Sequence, residues 1–281
     1  MTQPDQYVLG YRQEEQARLQ QQAQELAHES DWLFDQIPLT RGARVVEIGC
    51  GPHGCLALLS ERVGPTGRVV GVERSAEAVA LARTLVSQRD LRNVDVLEGD
   101  ARSTGLPPAS FDVVTSRLVL VNVPEPEQIV AEAAALVRPG GWVAFHEADY
   151  VSHVCDPPSN AWTRLVELLQ TFSAMNGIDP LIGRKLPRLL RDAGLTDIRV
   201  NPIIHVYPAG HGRRNLLLDF SENLTERLIA QKLIREPELT GLKAELSRHL
   251  ADPDTLVVSH LYFQSWGRKP SSETSELPRQ D

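Results

Sequence analysis

The stretch Arg44-Val45-Val46-Glu47-Ile48-Gly49-Cys50-Gly51-Pro52-His53-Gly54 decides the fold of this chain. Its apolar start predicts a buried strand. The three glycines that follow predict a sharp turn beneath a flat ligand, before a helix that begins near Cys55. Glu47 stands two residues before the first glycine, where its carboxylate would attract an ammonium group and repel a pyrophosphate. The stretch therefore favours a cationic nucleoside as the ligand.

Strand and helix patterns alternate from Arg44 to Glu147. Alternation of this kind predicts a parallel sheet with helices on both faces. Five strands are expected in this region, at residues 45–48, 69–73, 94–97, 111–115 and 142–146. Residues 198–207 and 256–266 are the remaining strand candidates. The expected fold class is therefore α/β.

The composition is that of a globular protein with a full core, since 42% of the 281 residues are hydrophobic and 23% are charged. The formal net charge of −8 argues against a broad phosphate-binding surface, so no nucleic-acid partner is expected. Cys50, Cys55 and Cys155 show no Cys-x-x-Cys spacing, which predicts neither a disulfide framework nor a cysteine zinc site. No signal-like start and no apolar run of about eighteen residues is present, so a cytoplasmic protein without a membrane partner is expected.

Four stretches in a fixed order carry a family resemblance. They are the glycine motif, Val69–Glu73, Glu98–Ala101 with Phe111–Val114, and Arg138–Trp142. Together they resemble the class I S-adenosylmethionine-dependent methyltransferases of the small-molecule type, such as those of quinone biosynthesis and natural products. The resemblance covers roughly residues 40–150. It implies S-adenosylmethionine as cofactor and a doubly wound, mostly parallel seven-stranded sheet whose last strand is antiparallel.

The sequence patterns and the resemblance together predict a division of the chain into four segments. These are an N-terminal lid helix (1–36), a Rossmann-like cofactor-binding core (37–150), the remainder of the sheet with helical cap insertions (151–268) and a disordered polar tail (269–281). The additions at residues 155–182 and 213–250 are longer than the fold needs and are interpreted as a substrate cap. Packing additions or an oligomer interface are the alternative, so a homo-oligomer stays open.

Cofactor contacts follow from the resemblance, residue by residue. Glu47 is expected to face the methionyl amino group, directly or through water; Glu73 to accept both ribose hydroxyls; and Asp100 to hold the adenine amino group. The other expected cofactor contacts are Tyr11, Gly49, Gly51, Gly54, Arg74, Ala101, Arg117 and Leu118. Tyr11, or Tyr7 in its place, would lie near the sulfonium, with an ordinary half-buried anchor as the alternative for both.

His146 and Glu147, at the end of the fifth strand, are the catalytic candidates. Either could remove a proton from an oxygen, nitrogen or activated carbon nucleophile, and a structural, hydrogen-bonded histidine is the alternative for His146. Adjacent strand residues point to opposite faces, so one of the two is expected to be a structural partner. No metal is predicted, since residues 146–153 show no tight His-x-Glu or Glu-x-x-His spacing on one helix. Asp112, near the start of the fourth strand, is expected to be structural.

The leading functional hypothesis is methyl transfer to a small-molecule substrate, an apolar one such as a natural product, a quinone or a lipid-like compound. Apolar and aromatic side chains in the helical additions suit a lid over such a substrate. Methylation of RNA or protein is one alternative, for which Arg213-Arg214, Lys232 and Arg235 would offer a basic face. A cofactor-binding cyclase, isomerase or scaffold that does not methylate is the other.

Overall fold

The computed structural model describes residues 13–271, with side chains from Leu19 onward. The predictions for Tyr7 and Tyr11, and for the tail beyond residue 271, lie outside the described residues. The α-helices in this part of the chain are α1 (Gln13–Glu25), α2 (Ala27–Asp35), α3 (Leu56–Val63), α4 (Ala76–Gln88), α5 (Pro126–Leu136), α6 (Asn160–Met175), α7 (Ile182–Asp192), α8 (Leu216–Asn223), α9 (Thr225–Ala230) and α10 (Glu236–Ala251). The strands are β1 (Arg44–Ile48), β2 (Arg68–Glu73), β3 (Val94–Glu98), β4 (Phe111–Arg117), β5 (Val137–Asp149), β6 (Val154–Asp156), β7 (Thr196–Ile203), β8 (Val206–Tyr207), β9 (Leu256–Val258) and β10 (Leu261–Arg268).

Seven of these strands form one sheet in the order β3-β2-β1-β4-β5-β10-β7. β1 lies inside the parallel part, where Val46 pairs with Val70 of β2 and with Val114 of β4. β10 is antiparallel to both β5 and β7. The predicted α/β fold, with seven strands and an antiparallel last strand, is confirmed.

Helices cover both faces of the sheet. Val45 and Val46 point to opposite faces and are both fully buried. Val46 belongs to the core that includes Ile129 of α5, whereas Val45 belongs to the core that includes Leu59 of α3. Parallel sheets covered in this way bind ligands at the carboxyl ends of their strands, which is where the glycine turn lies.

Each of the two C-terminal strand candidates is divided between two sheets. Residues 198–207 contribute to β7 and β8, and residues 256–266 contribute to β9 and β10. The two breaks face each other, because the Ser259 amide donates to the His205 carbonyl over 2.8 Å and the His205 amide donates to Ser259 Oγ over 2.9 Å. β8 and β9 join β6 in a second sheet of order β6-β9-β8, which the sequence does not predict.

The additions interpreted as a cap form a helical layer with its own apolar core. Leu165 of α6, Phe220 of α8 and Leu246 of α10 are buried in this core. The sequence predicts two helices in residues 213–250, whereas the structure has three α-helices there, separated at Leu224 and at residues 231–235. Pro237 lies in the first turn of α10 and not between helices.

Arg213 and Arg214 are buried, at 8% and 3% exposure, so the expectation that they form a basic face is wrong. The Arg214 guanidinium donates hydrogen bonds to the carbonyl oxygens of Tyr207, Leu250, Asp252 and Thr255. Arg213 forms an ion pair with Glu25 of α1. Both arginines therefore tie parts of the fold together.

The N-terminal region contains two helices, where the sequence predicts one over residues 12–36. α1 and α2 are separated at Leu26. α2 packs on the sheet through Trp32, whose ring meets the Trp266 ring edge-on at a centroid distance of 6.0 Å. Within residues 13–271, none of the helices combines the length and the apolar character that crossing a membrane requires.

Candidate functional site

A cavity of about 990 Å³ lies at the carboxyl ends of β1, β2, β3 and β4. The glycine turn of residues 49–54 and the segment of residues 117–119 form part of its wall. The rest comes from residues 72–75 after β2, residues 99–102 after β3, residues 122–124, side chains of α1 and the cap residues Asn176, Ile178 and Arg227. Most of the cofactor residues expected from the sequence therefore meet on one surface.

The glycine turn depends on the absence of side chains at two of its positions. Gly49 has a φ of +66°, and a Cβ there would lie 2.3 Å from Val119 Cγ2. A Cβ on Gly54 would lie 2.6 Å from Glu47 Oε1. These glycines let the turn approach the segment after β4 on one side and a buried carboxylate on the other.

Glu47 lies beneath the glycine turn and does not line the cavity. It is 1% exposed, and both of its carboxylate oxygens accept the Cys55 amide, at 2.7 and 2.9 Å. Burial raises the pKa of Glu47 to about 7, against the lowering influence of Arg117 and the Cys55 amide. The described hydrogen bonds of Glu47 are with the start of α3. That Glu47 faces the methionyl amino group of the cofactor stays a prediction.

Glu73 is oriented toward the cavity by two backbone amides. Its Oε2 accepts the Gly51 amide over 3.1 Å, and its Oε1 accepts the Ser75 amide over 3.0 Å. Ser75 in turn caps α4, since its Oγ accepts the Ala78 amide. The carboxylate at the end of β2 is thus fixed to the glycine turn before any ligand is present.

Asp100 also lines the cavity, and Arg102 holds its carboxylate. Arg102 Nε lies 3.0 Å from Asp100 Oδ1, and Arg102 Nη2 lies 2.8 Å from Asp100 Oδ2. This bidentate ion pair lowers the pKa of the Asp100 carboxyl below its ordinary value, and the hydrogen bond from the Arg102 backbone amide lowers it further. A ligand contact of Asp100 would therefore be made by a carboxylate whose direction Arg102 fixes.

Arg117 and Leu118 continue the wall after β4. Arg117 Nη1 donates to Ser30 Oγ of α2 over 3.0 Å, and Nη2 donates to the His53 carbonyl over 2.9 Å. Leu118 has a φ of +57°, a strained conformation for a residue with a branched side chain. This turn directs the chain from the end of β4 along the wall of the cavity.

His146 and Glu147 point to opposite faces of β5 and line neither of the cavities described here. Glu147 is fully buried and accepts the amides of Val119, Leu120 and Val121 at 2.9, 2.9 and 3.2 Å. Burial raises its pKa to about 7. The prediction that Glu147 acts as a base is not supported by these contacts, because both of its oxygens hold the backbone after β4.

His146 is 1% exposed and packs edge-on against Tyr262 at 5.5 Å. Burial, with Arg117 and His205 nearby, lowers the pKa of His146 to about 3. The ring is thus neutral at physiological pH. Neither ring nitrogen has a hydrogen-bond partner among the described residues, so the alternative of a hydrogen-bonded structural histidine does not hold there.

A second, smaller cavity of about 50 Å³ lies between the turn after β4 and the cap. Its lining is mostly apolar and includes Tyr150, Phe172 of α6 and Phe220 of α8. Asn122 and Ile178 line both cavities, so the two spaces adjoin. Within the described residues, no group of three or more histidine, cysteine or acidic side chains is placed to hold a metal ion.

Sequence reasoning missed Asn122, Asn176 and Arg227, which also line the large cavity. Asn122 Nδ2 donates to the carbonyl of Leu118 over 2.9 Å, and the positive φ of Leu118 has no signal in the sequence. Arg227 follows Leu224 by three residues, a helical spacing that places both side chains on one face. The sequence thus indicates that Leu224 and Arg227 share a helix face, but it does not show that this face points toward the cavity.

Residues 46–145 match a family model described as a methyltransferase domain. Residues 46–145 are thus similar to a methyltransferase domain. The matched region accounts for β1 to β5, with the glycine turn, Glu73, Asp100 and Arg117. The cap and β10 lie outside the match.

Two curated relatives and one solved structure place the chain among known proteins. An uncharacterised 37.1 kDa protein of a Streptomyces fradiae transposon is 36% identical over 179 residues, which are 62% of this chain and 50% of that protein. Demethylmenaquinone methyltransferase of Listeria monocytogenes is 34% identical over 116 residues, which are 40% of this chain and 49% of that enzyme. The chain thus spans about half the length of the curated relatives it matches.

The fold is shared with phosphoethanolamine N-methyltransferase 2 of Haemonchus contortus, solved in complex with phosphomonomethylethanolamine and S-adenosylhomocysteine. The TM-score is 0.56 at 18% identity, over 86% of this chain and 53% of that chain. At this identity the likeness concerns the arrangement of the sheet and helices.

Proposed function

We propose that the chain is an S-adenosylmethionine-dependent methyltransferase that acts on an oxygen, nitrogen or carbon nucleophile of a small, apolar organic molecule. The observation that carries the proposal is the 990 Å³ cavity at the carboxyl ends of β1 to β4. Its wall joins the glycine turn with Glu73, Asp100 and Arg117. The match of residues 46–145 to a methyltransferase domain supports the assignment of this cavity to S-adenosylmethionine.

The side chains present fit S-adenosylmethionine. The Glu73 carboxylate is directed by two backbone amides, which suits it to accept a pair of ribose hydroxyls. Gly51 lines the cavity, and a Cβ added there would meet no protein atom within 4 Å, so its backbone is open to the ligand. A volume of about 990 Å³ lies at the upper end of the roughly 300–1,000 Å³ of small-molecule pockets, which leaves space beyond the cofactor.

The residues of this chain would hold the cofactor by its polar ends. Glu73 would accept the ribose hydroxyls, Asp100 the adenine amino group, and Arg117 with Leu118 would line the methionine portion. Glu47 would favour an ammonium group from beneath the glycine turn. When bound, S-adenosylmethionine supplies an activated methyl group, so positioning of the acceptor and exclusion of water are the tasks left to the protein.

The acceptor class is supported by the second cavity. It is lined mostly by apolar and aromatic side chains, among them Tyr150, Phe172 and Phe220, and it adjoins the large cavity at Asn122 and Ile178. One matching relative is named for a quinone precursor, demethylmenaquinone. Both features favour a small organic acceptor over RNA or protein.

The cofactor assignment is tested by titrating S-adenosylhomocysteine and NAD into the protein in a calorimeter. We expect binding of the first ligand alone. Glu73→Ala should weaken it at least tenfold, about 1.4 kcal/mol, because two hydrogen bonds to a charged group are lost. Glu77→Ala, in the first turn of α4 and exposed, is the matched control and should bind as the wild type does. Unchanged affinity in Glu73→Ala would refute the ribose assignment.

The acceptor class is tested by turnover. A bacterial metabolite extract should cause release of S-adenosylhomocysteine, whereas total RNA and a protein lysate depleted of small molecules should not. Release of S-adenosylhomocysteine with RNA, and not with the metabolite extract, would contradict the small-molecule proposal and favour RNA methylation.

A further inference from the structure

Among the described residues, Asn122 and Ile178 line both cavities. The place where they stand is called the junction below. Ile178 offers an apolar side chain there, so Asn122 supplies the polar one. The proposed function assigns the large cavity to the cofactor and the smaller one to the apolar part of the acceptor. The group of the acceptor that meets the cofactor therefore has to lie at the junction, beside Asn122.

The side-chain amide of Asn122 has a fixed orientation. Its Nδ2 donates to the Leu118 carbonyl over 2.9 Å, and because a carbonyl oxygen only accepts, Nδ2 and not Oδ1 must face Leu118. Oδ1 lies on the other side of the planar amide. Among the described residues, no group donates to Oδ1, and Oδ1 is not one of the buried atoms that lack a partner. It is therefore a hydrogen-bond acceptor that a ligand can reach.

The backbone that carries Asn122 is held by the protein itself. The Asn122 amide donates to the Val119 carbonyl over 3.0 Å, and the Val119 amide donates to Glu147 Oε1 over 2.9 Å. On the other side of Asn122, a bridge pairs Pro124 with Ile178. Since protein contacts alone fix this segment, a ligand that binds to Oδ1 orders little of the chain.

The other polar side chains near the junction are placed differently. Asn176, which also lines the large cavity, is engaged at both ends of its amide. Its Nδ2 lies 3.4 Å from Gln231 Oε1, and its Oδ1 lies 3.3 Å from Gln231 Nε2. Gln170 and Ser173 line the smaller cavity and not the large one. Asn122 is thus the amide that combines a place at the junction with an unused acceptor oxygen.

Resting on the proposed function, we propose that the acceptor presents an O–H or N–H group to Asn122 Oδ1 and that Asn122 selects acceptors for this group. An amide oxygen accepts strong hydrogen bonds from hydroxyl and N–H donors, whereas C–H donors are weak. The acceptor atom at the junction is therefore an oxygen or a nitrogen that carries hydrogen. An amide is not basic, so Asn122 orients this group and removes no proton from it.

The volume of the smaller cavity limits the size of a suitable probe. It is about 50 Å³, well below the roughly 150 Å³ of a cavity that binds benzene. A single ring therefore has to extend across the junction, where its substituent can reach Asn122. Phenol, aniline and toluene are three such rings, and they differ only in this substituent.

The test titrates each probe into the full chain saturated with S-adenosylhomocysteine, with dissociation constants measured by NMR. Asn122→Leu keeps the approximate size of the side chain and removes its acceptor oxygen. We expect it to weaken phenol and aniline about fivefold relative to toluene, or about 1 kcal/mol, because one neutral hydrogen bond is lost. The affinity for S-adenosylhomocysteine should stay within threefold of the wild type.

Two further variants separate the role of Oδ1 from an effect on the backbone. Asn122→Asp loses the same contact with Leu118 but keeps acceptor oxygens, so it should bind phenol and aniline in preference to toluene as the wild type does. The matched control is Asn160→Leu, at an exposed position of α6 outside both cavities, which should change none of the affinities.

The inference is overturned if none of the probes binds the wild type, or if Asn122→Leu leaves phenol and aniline unchanged relative to toluene. Loss of the preference in Asn122→Asp as well would attribute the effect to the backbone and reject the role of Oδ1. A fall of more than threefold in S-adenosylhomocysteine affinity in Asn122→Leu would assign Asn122 to the cofactor instead. The proposed function fails separately, if S-adenosylhomocysteine does not bind the wild type.

Discussion

At the scale of single residues, Glu147 has the clearest structural role. Its carboxylate reaches across from β5 and accepts three successive amides of the segment after β4. That segment, residues 118–124, contributes to the walls of both cavities. Glu147, one of the two candidates for a base, thus holds the backbone segment that lies between the two cavities.

Glu147→Gln should loosen this segment. An amide side chain offers one acceptor oxygen and one donor group, so at least one of the three backbone amides would face another donor. We expect a loss of roughly 1–3 kcal/mol in the free energy of unfolding, the cost of one buried amide left without an acceptor. Urea unfolding measures this, with exposed Glu245→Gln of α10 as the control. Unchanged stability in Glu147→Gln would contradict the role.

At the scale of secondary-structure elements, Arg214 joins the end of α10 to the sheet of β6, β9 and β8. Its guanidinium donates to the carbonyls of Leu250 and Asp252 at the end of α10, of Tyr207 in β8 and of Thr255 before β9. A cation at a helix C-terminus also meets the negative end of the helix dipole. One side chain thus fixes the C-terminal end of the cap to the small sheet.

Arg214→Leu should therefore destabilise the protein strongly. Several carbonyl oxygens would stay buried without a donor, which costs about 1–3 kcal/mol each where water cannot enter. We expect a loss of roughly 3 kcal/mol in the free energy of unfolding, measured with urea. Arg248→Leu, exposed on the same helix, removes the same charge and should change it by less than about 0.5 kcal/mol. Similar losses in both variants would show that net charge, and not the carbonyl contacts, is responsible.

At the scale of the whole molecule, buried ionisable groups act on stability in opposite directions. Burial lowers the pKa of His146 to about 3 and also lowers that of His260, so the unfolded chain binds more protons than the fold below about pH 6.5. Burial raises the pKa of Glu47 and Glu147 to about 7, so the fold binds more protons than the unfolded chain between about pH 4.5 and 7. Acidification therefore weakens the fold through the histidines and strengthens it through the glutamates.

His260→Phe isolates one part of this balance. His260 packs between Tyr150 and Tyr262 at 5.0 and 4.3 Å, an environment in which phenylalanine fits. The variant cannot gain a proton on unfolding. Its stability relative to the wild type should therefore rise by about 1.4 kcal/mol between pH 7.5 and 5.5. Urea unfolding at both pH values measures this. Exposed His28→Phe should show no such change, and a flat difference for His260→Phe would contradict the linkage.

The parallel part of the fold was predictable because strands buried on both faces form unbroken apolar runs, as at Val45 and Val46. The positions of the glycine turn, Glu73 and Asp100 beside the cavity were predictable because each belongs to a short motif that follows a strand. The split of the C-terminal strands was not, since the His205–Ser259 contact joins segments 54 residues apart. Where the Glu147 and Arg227 side chains point depends on tertiary packing. Local sequence patterns do not predict it.

The order of strands has a consequence for synthesis on the ribosome. Among the described residues, β10 follows all other strands in sequence, yet it lies between β5 and β7 in the sheet. A nascent chain that ends before Leu261 can assemble the parallel strands, but it leaves the exposed edge of β5 unpaired and β7 without a neighbour in the sheet. Unpaired edges invite association with other chains. Synthesis of β10 thus removes the unpaired edge on which other chains could add a strand.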